Sequence, residues 1–202
     1  MTKNSDIAIL ILAAGESTRM GEPKQLLPWK GTTLLGYAIN EAKLVSTENI
    51  YVVLGGNYEL IKNIEELETV NSIYNPDYKI GQGTSLSCGI NYILKKEDVY
   101  KAILIMLCDQ PLITSEYLKG LITTYYINNK GIVATNYENR AGVPVIFSAD
   151  YFEELSSIKG DIGAKSILRN NIKELLLINA NGKELDVDTK KEYNELINQL
   201  KF

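Results

Sequence analysis

Ile7-Ala8-Ile9-Leu10-Ile11-Leu12-Ala13 carries no polar side chain, and it gives way at once to Ala14-Gly15-Glu16-Ser17-Thr18-Arg19-Met20-Gly21-Glu22-Pro23-Lys24. An unbroken apolar run of this length, ended by small residues and glycine, reads as a strand covered on both faces. Ala102–Leu107 has the same character. Further β-branched runs predict strands at Ile50–Leu54, Ser72–Tyr74, Ile132–Ala134, Val143–Phe147 and Leu175–Ile178. Amphipathic stretches predict helices at Leu34–Val45, Tyr58–Leu67, Ser85–Lys95, Ser115–Asn128, Asp150–Ser156, Ile162–Asn170 and Lys190–Leu200. Such strand-helix alternation makes a three-layer α/β/α domain around a mostly parallel sheet. In sheets of this kind ligands collect beyond the carboxyl ends of the strands, so the loops after the strands are expected to carry the chemistry. No linker, repeat or low-complexity tract interrupts the pattern, and residues 1–202 are expected to form one domain.

The composition narrows the chemistry. The sequence contains 0 histidines, which excludes His-based acid-base catalysis, Ser-His-Asp hydrolysis and His-ligated zinc. Catalysis must then rest on carboxylates, Lys, Arg, hydroxyls, backbone amides or a hard metal ion. A net charge of -4 argues against nucleic acid as a partner, so any anionic ligand needs a local cluster of cations. The polar Met1–Asp6 and the short run Ile7–Ala14 do not form a secretory leader or a membrane span. A cytoplasmic protein without membrane contact is expected. Cys88 and Cys108 lack metal-ligand spacing and read as buried fillers.

Four segments stand where chemistry is expected. In the loop after the first strand, Leu12, Ala13, Ala14 and Gly15 let a ligand approach the backbone, and Ser17 and Thr18 add donors. Arg19 supplies a bidentate fork and Lys24 a point charge, a pairing suited to a polyphosphate. The spacing is neither that of a P-loop nor that of the dinucleotide fingerprint. Taken alone, the loop is equally a surface turn with incidental charges. Gly81-Gln82-Gly83-Thr84-Ser85-Leu86-Ser87 precedes a helix that Thr84 or Ser85 can cap, with free amides facing polar groups. Asp109, in Cys108-Asp109-Gln110-Pro111 after the second buried strand, is placed either for a magnesium ion or to cap the next turn. Asp188, in Asp186-Val187-Asp188-Thr189, stands just before the last helix, where an ordinary N-cap is the competing reading.

The loop Leu12-Ala13-Ala14-Gly15-Glu16-Ser17-Thr18-Arg19-Met20-Gly21-Glu22-Pro23-Lys24 resembles the MobA-like nucleotidyltransferases at nearly every position. Within them it looks most like the molybdenum cofactor cytidylyltransferase branch, and Lys24-Gln25-Leu26-Leu27-Pro28 continues the likeness. The resemblance implies a Rossmann-like nucleotidyltransferase fold with a mixed, mostly parallel sheet. It implies that Arg19 and Lys24 contact the triphosphate and that the Leu12–Gly15 backbone, Ser17, Gly83, Thr84 and Ser85 hold the nucleotide. It makes Asp109 and Asp188 magnesium ligands. It also assigns Gly142, Pro144, Asp161 and Lys165 to the acceptor side. Gln82, Thr84, Lys165 and Lys190 depart from the family pattern.

The implied reaction is magnesium-dependent transfer of CMP from CTP to the phosphate of molybdopterin, with release of pyrophosphate. Such an acceptor is already anionic and needs no general base, in keeping with a histidine-free chain. Ala14 is the residue that favours CTP, since the branch with Gly at this place transfers guanosine. Transfer from GTP, a sugar-phosphate acceptor, and non-catalytic delivery of the cofactor to a molybdenum hydroxylase client are the competing expectations.

Overall fold

Strand β1 (Ile7–Ala13) is buried along its whole length in the computed structural model, which describes residues 6–46, 48–96, 99–138 and 140–200. Of the polar segment read above as no secretory leader, residues 1–5 lie outside the described residues. After β1 the chain makes a small antiparallel hairpin, β2 (Pro28–Trp29) and β3 (Thr32–Thr33), which the sequence reading did not predict. There follow α1 (Leu34–Lys43), β4 (Ile50–Leu54), α2 (Tyr58–Ile61), β5 (Asn71–Tyr74) and α3 (Gln82–Leu94). The second half contains β6 (Ala102–Leu107), α4 (Ser115–Ile127), β7 (Ile132–Tyr137), β8 (Arg140–Ser148), α5 (Phe152–Ser156), α6 (Lys165–Asn170), β9 (Leu175–Asn179) and α7 (Lys190–Leu200).

Seven strands form one sheet in the order β5-β4-β1-β6-β8-β7-β9. β8 runs antiparallel to both of its neighbours, and the other pairings are parallel. The mixed, mostly parallel α/β architecture is therefore the one the sequence implies. The unbroken apolar run of β1 follows from its place between two helical layers. Ile7, Ile9, Ile11 and Ala13 pack with Leu35, Ile39 and Ala42 of α1 and Leu118 and Leu121 of α4. Ala8, Leu10 and Leu12 turn to the other face, against Leu86 and Ile90 of α3, Leu155 of α5 and Ile167 of α6. Side chains alternate between the two faces of a strand, so both sets must be apolar when both faces are covered.

Several element bounds differ from the sequence reading. Tyr58–Leu67 is not one helix: α2 ends at Ile61, Ile64 takes an extended backbone, and a 3-10 turn over Glu65–Thr69 carries Leu67 into the core. α3 begins at Gln82 rather than Ser85, with Gly81 at φ 139 as its N-cap. Thr84 and Ser85 therefore stand inside the first turn and do not cap the helix. Gly160 and Gly163, at φ 65 and 53, keep the approach to α6 irregular, so the helix starts at Lys165 rather than Ile162. α5 is preceded by a 3-10 turn over Ala149–Tyr151, and α1 stops at Lys43. β7 and β8 extend toward each other beyond the predicted runs and pair as far as Tyr137 and Arg140. Cys108 is buried as expected, whereas Cys88 is only half-buried.

Close approach of α3 to the sheet depends on Gly89. An ideal Cβ there would stand 2.7 Å from Leu10 Cδ1 and 2.9 Å from Val53 Cγ2, beneath a fully buried stretch. Gly89→Val is expected to destabilise the protein by about 1–3 kcal/mol through overpacking. The change would be read as a lower urea midpoint at unchanged slope. An unchanged midpoint would show that α3 is free to move outward.

Candidate functional site

The loop leaving β1 is held by side chains buried beneath it. Ser17 and Gly21 adopt positive φ angles of 59 and 77, and the Met20 and Gly21 amides both donate to Ser17 O. Gln25, only 1% exposed, donates through Nε2 to Ala13 O at 2.9 Å and to Gly15 O at 2.8 Å. Its Oε1 accepts from Ser17 Oγ, which in turn accepts from the Lys24 amide. Two carbonyls at the end of a central strand are thereby satisfied by one amide group. Gly56 N donates to Ala14 O from the neighbouring strand's exit, and a Cβ on Gly55 would lie 2.8 Å from that same oxygen. The backbone of Ala13–Gly15 is thus fixed from two sides.

Four charged side chains from remote parts of the chain meet at this loop. The Lys24 ammonium donates to Asp109 Oδ2 and, at 2.8 Å, to Asp188 Oδ1. Arg19 Nη2 donates to Asp188 Oδ2 at 2.7 Å. Lys24 and Asp109 keep only 13% and 14% of their side-chain exposure, against 70% for Arg19, so the inner pair is far less screened. Burial alone would lower the lysine pKa, but the charges and hydrogen bonds of Asp109 and Asp188 outweigh it and hold the value above the ordinary lysine range. Asp188 is held below the usual carboxylate range: partial burial raises it, and Lys24 and Arg19 more than reverse this.

Backbone and core contacts explain why residues 79 positions apart stay together here. Asp109 follows β6, and its carbonyl accepts from Val187 N at 2.9 Å. Val187 is buried with Met20, Leu27, Trp29 and Leu34, and α7 adds Leu196 to the same cluster. Thr189 and Glu192 form a capping box at the start of α7. Thr189 Oγ1 accepts from Glu192 N, while Glu192 Oε2 accepts from the amides of Asp188 and Thr189. Thr189 therefore takes the capping role that competed for this segment, and the Asp188 carboxylate turns to the cations instead.

A cleft of about 510 Å³ opens from this cluster. Leu12, Ala13, Ala14, Gly15, Arg19, Lys24, Ser85 and Asp109 line it, with Asp188 at the same end. Gly142 and Lys165 line it from the side of β8 and α6. Ser17, Gly83, Thr84, Pro144 and Asp161 are not on its wall. Ser17 braces the loop from behind, and Gly83 N donates to Gly160 O at 2.8 Å. Thr84 Oγ1 bonds to the carbonyls of Asp77 and Gly81, away from the cleft. Pro144, which follows a cis peptide, offers its carbonyl to Thr135 Oγ1, and Asp161 Oδ1 accepts from Gln82 N at the start of α3.

Four other residues complete the site. Tyr137 and Arg140 line the cleft, and the guanidinium lies over the tyrosine ring at 5.3 Å. The ring fills the space a Cβ on Gly142 would need, and its hydroxyl donates to Val143 O. Gln110, 3% exposed, donates through Nε2 to Tyr137 Oη and Asp186 Oδ1. The Asp186 carboxyl also lines the cleft and is pushed up to about 6, by burial first and then by the negative charge of Asp109. Asp186 and Gln110 were visible in the sequence beside the chosen aspartates. Nothing in the sequence marked Tyr137 or Arg140, since their roles depend on the unforeseen hairpin.

The donor set fits a hard divalent ion. Asp109 Oδ1 is buried without a hydrogen-bond partner, and an orphaned carboxylate oxygen is costly unless a ligand engages it. Magnesium takes one or two carboxylates and completes its shell with phosphate oxygens and water. Among the described residues no group of three or more His, Cys, Asp or Glu stands together as a metal site, and a shell begun by Asp109 and Asp188 would be completed by water or by a substrate's oxygens. No helix of the described residues is long and apolar enough to cross a membrane.

Comparison with known proteins bears on the family and the fold. A family model described as the MobA-like NTP transferase domain matches residues 9–175. The Bacillus subtilis purine catabolism protein PucB is 26% identical, aligned over 92% of this chain and 93% of its own. A structure from Mycobacterium sp. strain JC1, a homolog of Mycobacterium tuberculosis Rv0371c, superposes with a TM-score of 0.83 at 30% identity, covering 97% of each chain. Rv0371c itself, solved in complex with manganese, gives a TM-score of 0.79 at 27% identity over 96% of this chain and 98% of its own.

The Gln25 bracket can be tested by itself. Gln25→Leu leaves Ala13 O and Gly15 O without their donor, and a loss of about 1–3 kcal/mol of stability is expected from the unpaired carbonyls. Chemical denaturation measures it; a change within about 0.5 kcal/mol, the usual range of a surface substitution, would mean that the loop holds its shape without Gln25.

Proposed function

The chain belongs to the MobA-like NTP transferase family, and from that premise we propose that it catalyses magnesium-dependent transfer of CMP from CTP to the phosphate of molybdopterin, releasing pyrophosphate. The observation that carries the reading is the pair Asp109 and Asp188, held together on Lys24 at the mouth of β1 and β6, with Asp109 Oδ1 left partnerless. Two carboxylates and two cations converging on one small-residue loop suit a metal-bound triphosphate and little else.

Lys24 and Arg19 neutralise the triphosphate, and Ala13–Gly15 lie against the nucleotide with their backbone fixed by Gln25 and Gly56. Asp109 and Asp188 would hold magnesium, which would neutralise the oxygens of the attacked phosphate and of the leaving pyrophosphate. The acceptor phosphate is already an anion, so no side chain has to remove a proton. The work is positioning and electrostatic stabilisation. Gly142 and Lys165 face the acceptor across the cleft. Lys165 has no carboxylate in ion-pair contact among the described residues, which leaves its charge for a phosphate. Ala14, 7% exposed on the wall of the cleft, favours the smaller pyrimidine base.

Pyrophosphate release with molybdopterin as acceptor, compared across CTP, GTP and ATP, tests the substrates. CTP is expected to be used best. A GTP preference would overturn the base assignment. No turnover with any nucleotide, alongside tight molybdopterin binding, would instead favour cofactor delivery to a molybdenum hydroxylase. Asp109→Asn is expected to lower turnover by about 10²–10³-fold, the usual loss on removing one preorganised group from a charged transition state. Far-UV circular dichroism should stay unchanged, and wild-type pyrophosphate release from this variant would refute a role in metal binding.

A further inference from the structure

The carboxylate oxygens that would bridge a metal are already engaged by cations of the chain itself. Lys24 Nζ holds Asp109 Oδ2 and Asp188 Oδ1, and Arg19 holds Asp188 Oδ2. Asp109 keeps one oxygen, Oδ1, without a partner, whereas each Asp188 oxygen already accepts from a cation. A divalent cation shared by both aspartates would therefore compete with Lys24 or Arg19 at an Asp188 oxygen. Arg19 is solvated and screened, so its hold on Asp188 is weak. Lys24 is largely buried and bonded to both carboxylates at once, and it is the stronger competitor.

We propose that Lys24 makes metal binding conditional on the nucleotide. Its ammonium competes with the divalent cation for Asp109 and Asp188, and it yields those oxygens when a triphosphate offers it another anionic partner. The argument is one of charge. With Lys24 in place, a divalent ion alone meets two carboxylates largely neutralised by two cations and must displace or crowd an ammonium at hydrogen-bond distance. A metal–triphosphate complex brings its own negative charge, to which Lys24 can turn without losing an ion pair. Metal and nucleotide then bind with positive coupling, and linkage requires the effect to be reciprocal. The buried position of the lysine is what gives this weight, because a fully solvated ammonium would be screened out of the competition. The proposal rests on the nucleotidyl-transfer reading of the same site.

Mn²⁺ titration followed by electron paramagnetic resonance tests the coupling without turnover. Nucleotide-free wild type, Lys24→Met and Arg19→Met are compared, then the same proteins with the Mn²⁺–CTP complex. Lys24→Met is expected to bind Mn²⁺ alone about tenfold more tightly than wild type, a typical coupling factor, and to bind Mn²⁺–CTP more weakly. Arg19→Met should change the affinity for Mn²⁺ alone by less than about threefold, as a screened surface charge would. This opposite movement of the two affinities separates competition from damage to the fold, which weakens both. Unchanged or weaker binding of Mn²⁺ alone by a folded Lys24→Met protein would overturn the proposal, as would equal tightening by Arg19→Met. In either case wild-type affinity for Mn²⁺–CTP leaves the transfer reading standing. If wild type binds neither Mn²⁺ nor Mn²⁺–CTP, both fall together.

Discussion

One buried ammonium, that of Lys24, joins three segments that are distant in sequence: the loop after β1, the exit of β6 at Asp109, and the approach to α7 at Asp188. Taking such charges out of water costs several kcal/mol per ion, and their attraction repays this only with good geometry and further hydrogen bonds. The surroundings supply both. Val187 N closes on Asp109 O, the cluster around Trp29 anchors Val187 and α7, and the capping box frees Asp188 from helix duty. The apolar cluster does the holding, and the ion pairs set which way the carboxylates face. That division suits a binding site, because ion pairs can be exchanged for a ligand while the packing beneath them stays intact.

The reversed strand β8 serves the same cleft from the other side. Because β8 runs against β6, with Ile105 opposite Val145, its first residues lie beyond the carboxyl end of β6. A parallel strand in that place would bring its last residues to the cleft and leave the loop before it at the far end of the sheet. The reversal places Arg140, Gly142 and the Tyr137 ring over a site whose opposite wall comes from β1. Gly142 has no side chain where the ring needs room, and Gln110 ties the ring's hydroxyl to the segment bearing Asp186. The hairpin is therefore braced against the segment bearing Asp186 rather than hanging over the cleft as a free flap.

The sheet and the cation-carboxylate cluster were legible in the sequence for a common reason. A strand covered on both faces must be apolar at every position, so Ile7–Ala13 and Ala102–Leu107 announced themselves, and the loops after them fell where ligands gather. Lys24 and Asp109 stood in those loops, whereas Asp188 competed with an ordinary N-cap and was singled out by the resemblance. What stayed hidden depends on tertiary contacts with no periodic trace. The extension of β7 and β8 over Thr135–Tyr137 and Arg140–Gly142 mixes polar and small residues, and only pairing across the hairpin makes it strand. The break in Tyr58–Leu67 answers to the burial of Leu67, not to any local breaker such as proline. Gln25 carried no sign of burial in the sequence, and the two carbonyls it satisfies explain why it is buried.

The missing histidine then acquires a structural counterpart. Around Lys24 the chain offers carboxylates and cations in close balance, Asp109 and Asp188 against Lys24 and Arg19, with Asp186 pushed up to about 6 beside them. Among the described residues there, none has an ordinary pKa near neutrality, and Asp186 is the one raised toward it. A reaction that needed a proton removed from its nucleophile would have to rely on that carboxyl. A reaction between two phosphates needs no base: its demand is for neutralisation of charge already present and for alignment of the two groups. An alcohol acceptor would call for a base, whereas an acceptor that arrives as a phosphate anion can be served by Lys24, Arg19, Lys165 and a divalent ion alone.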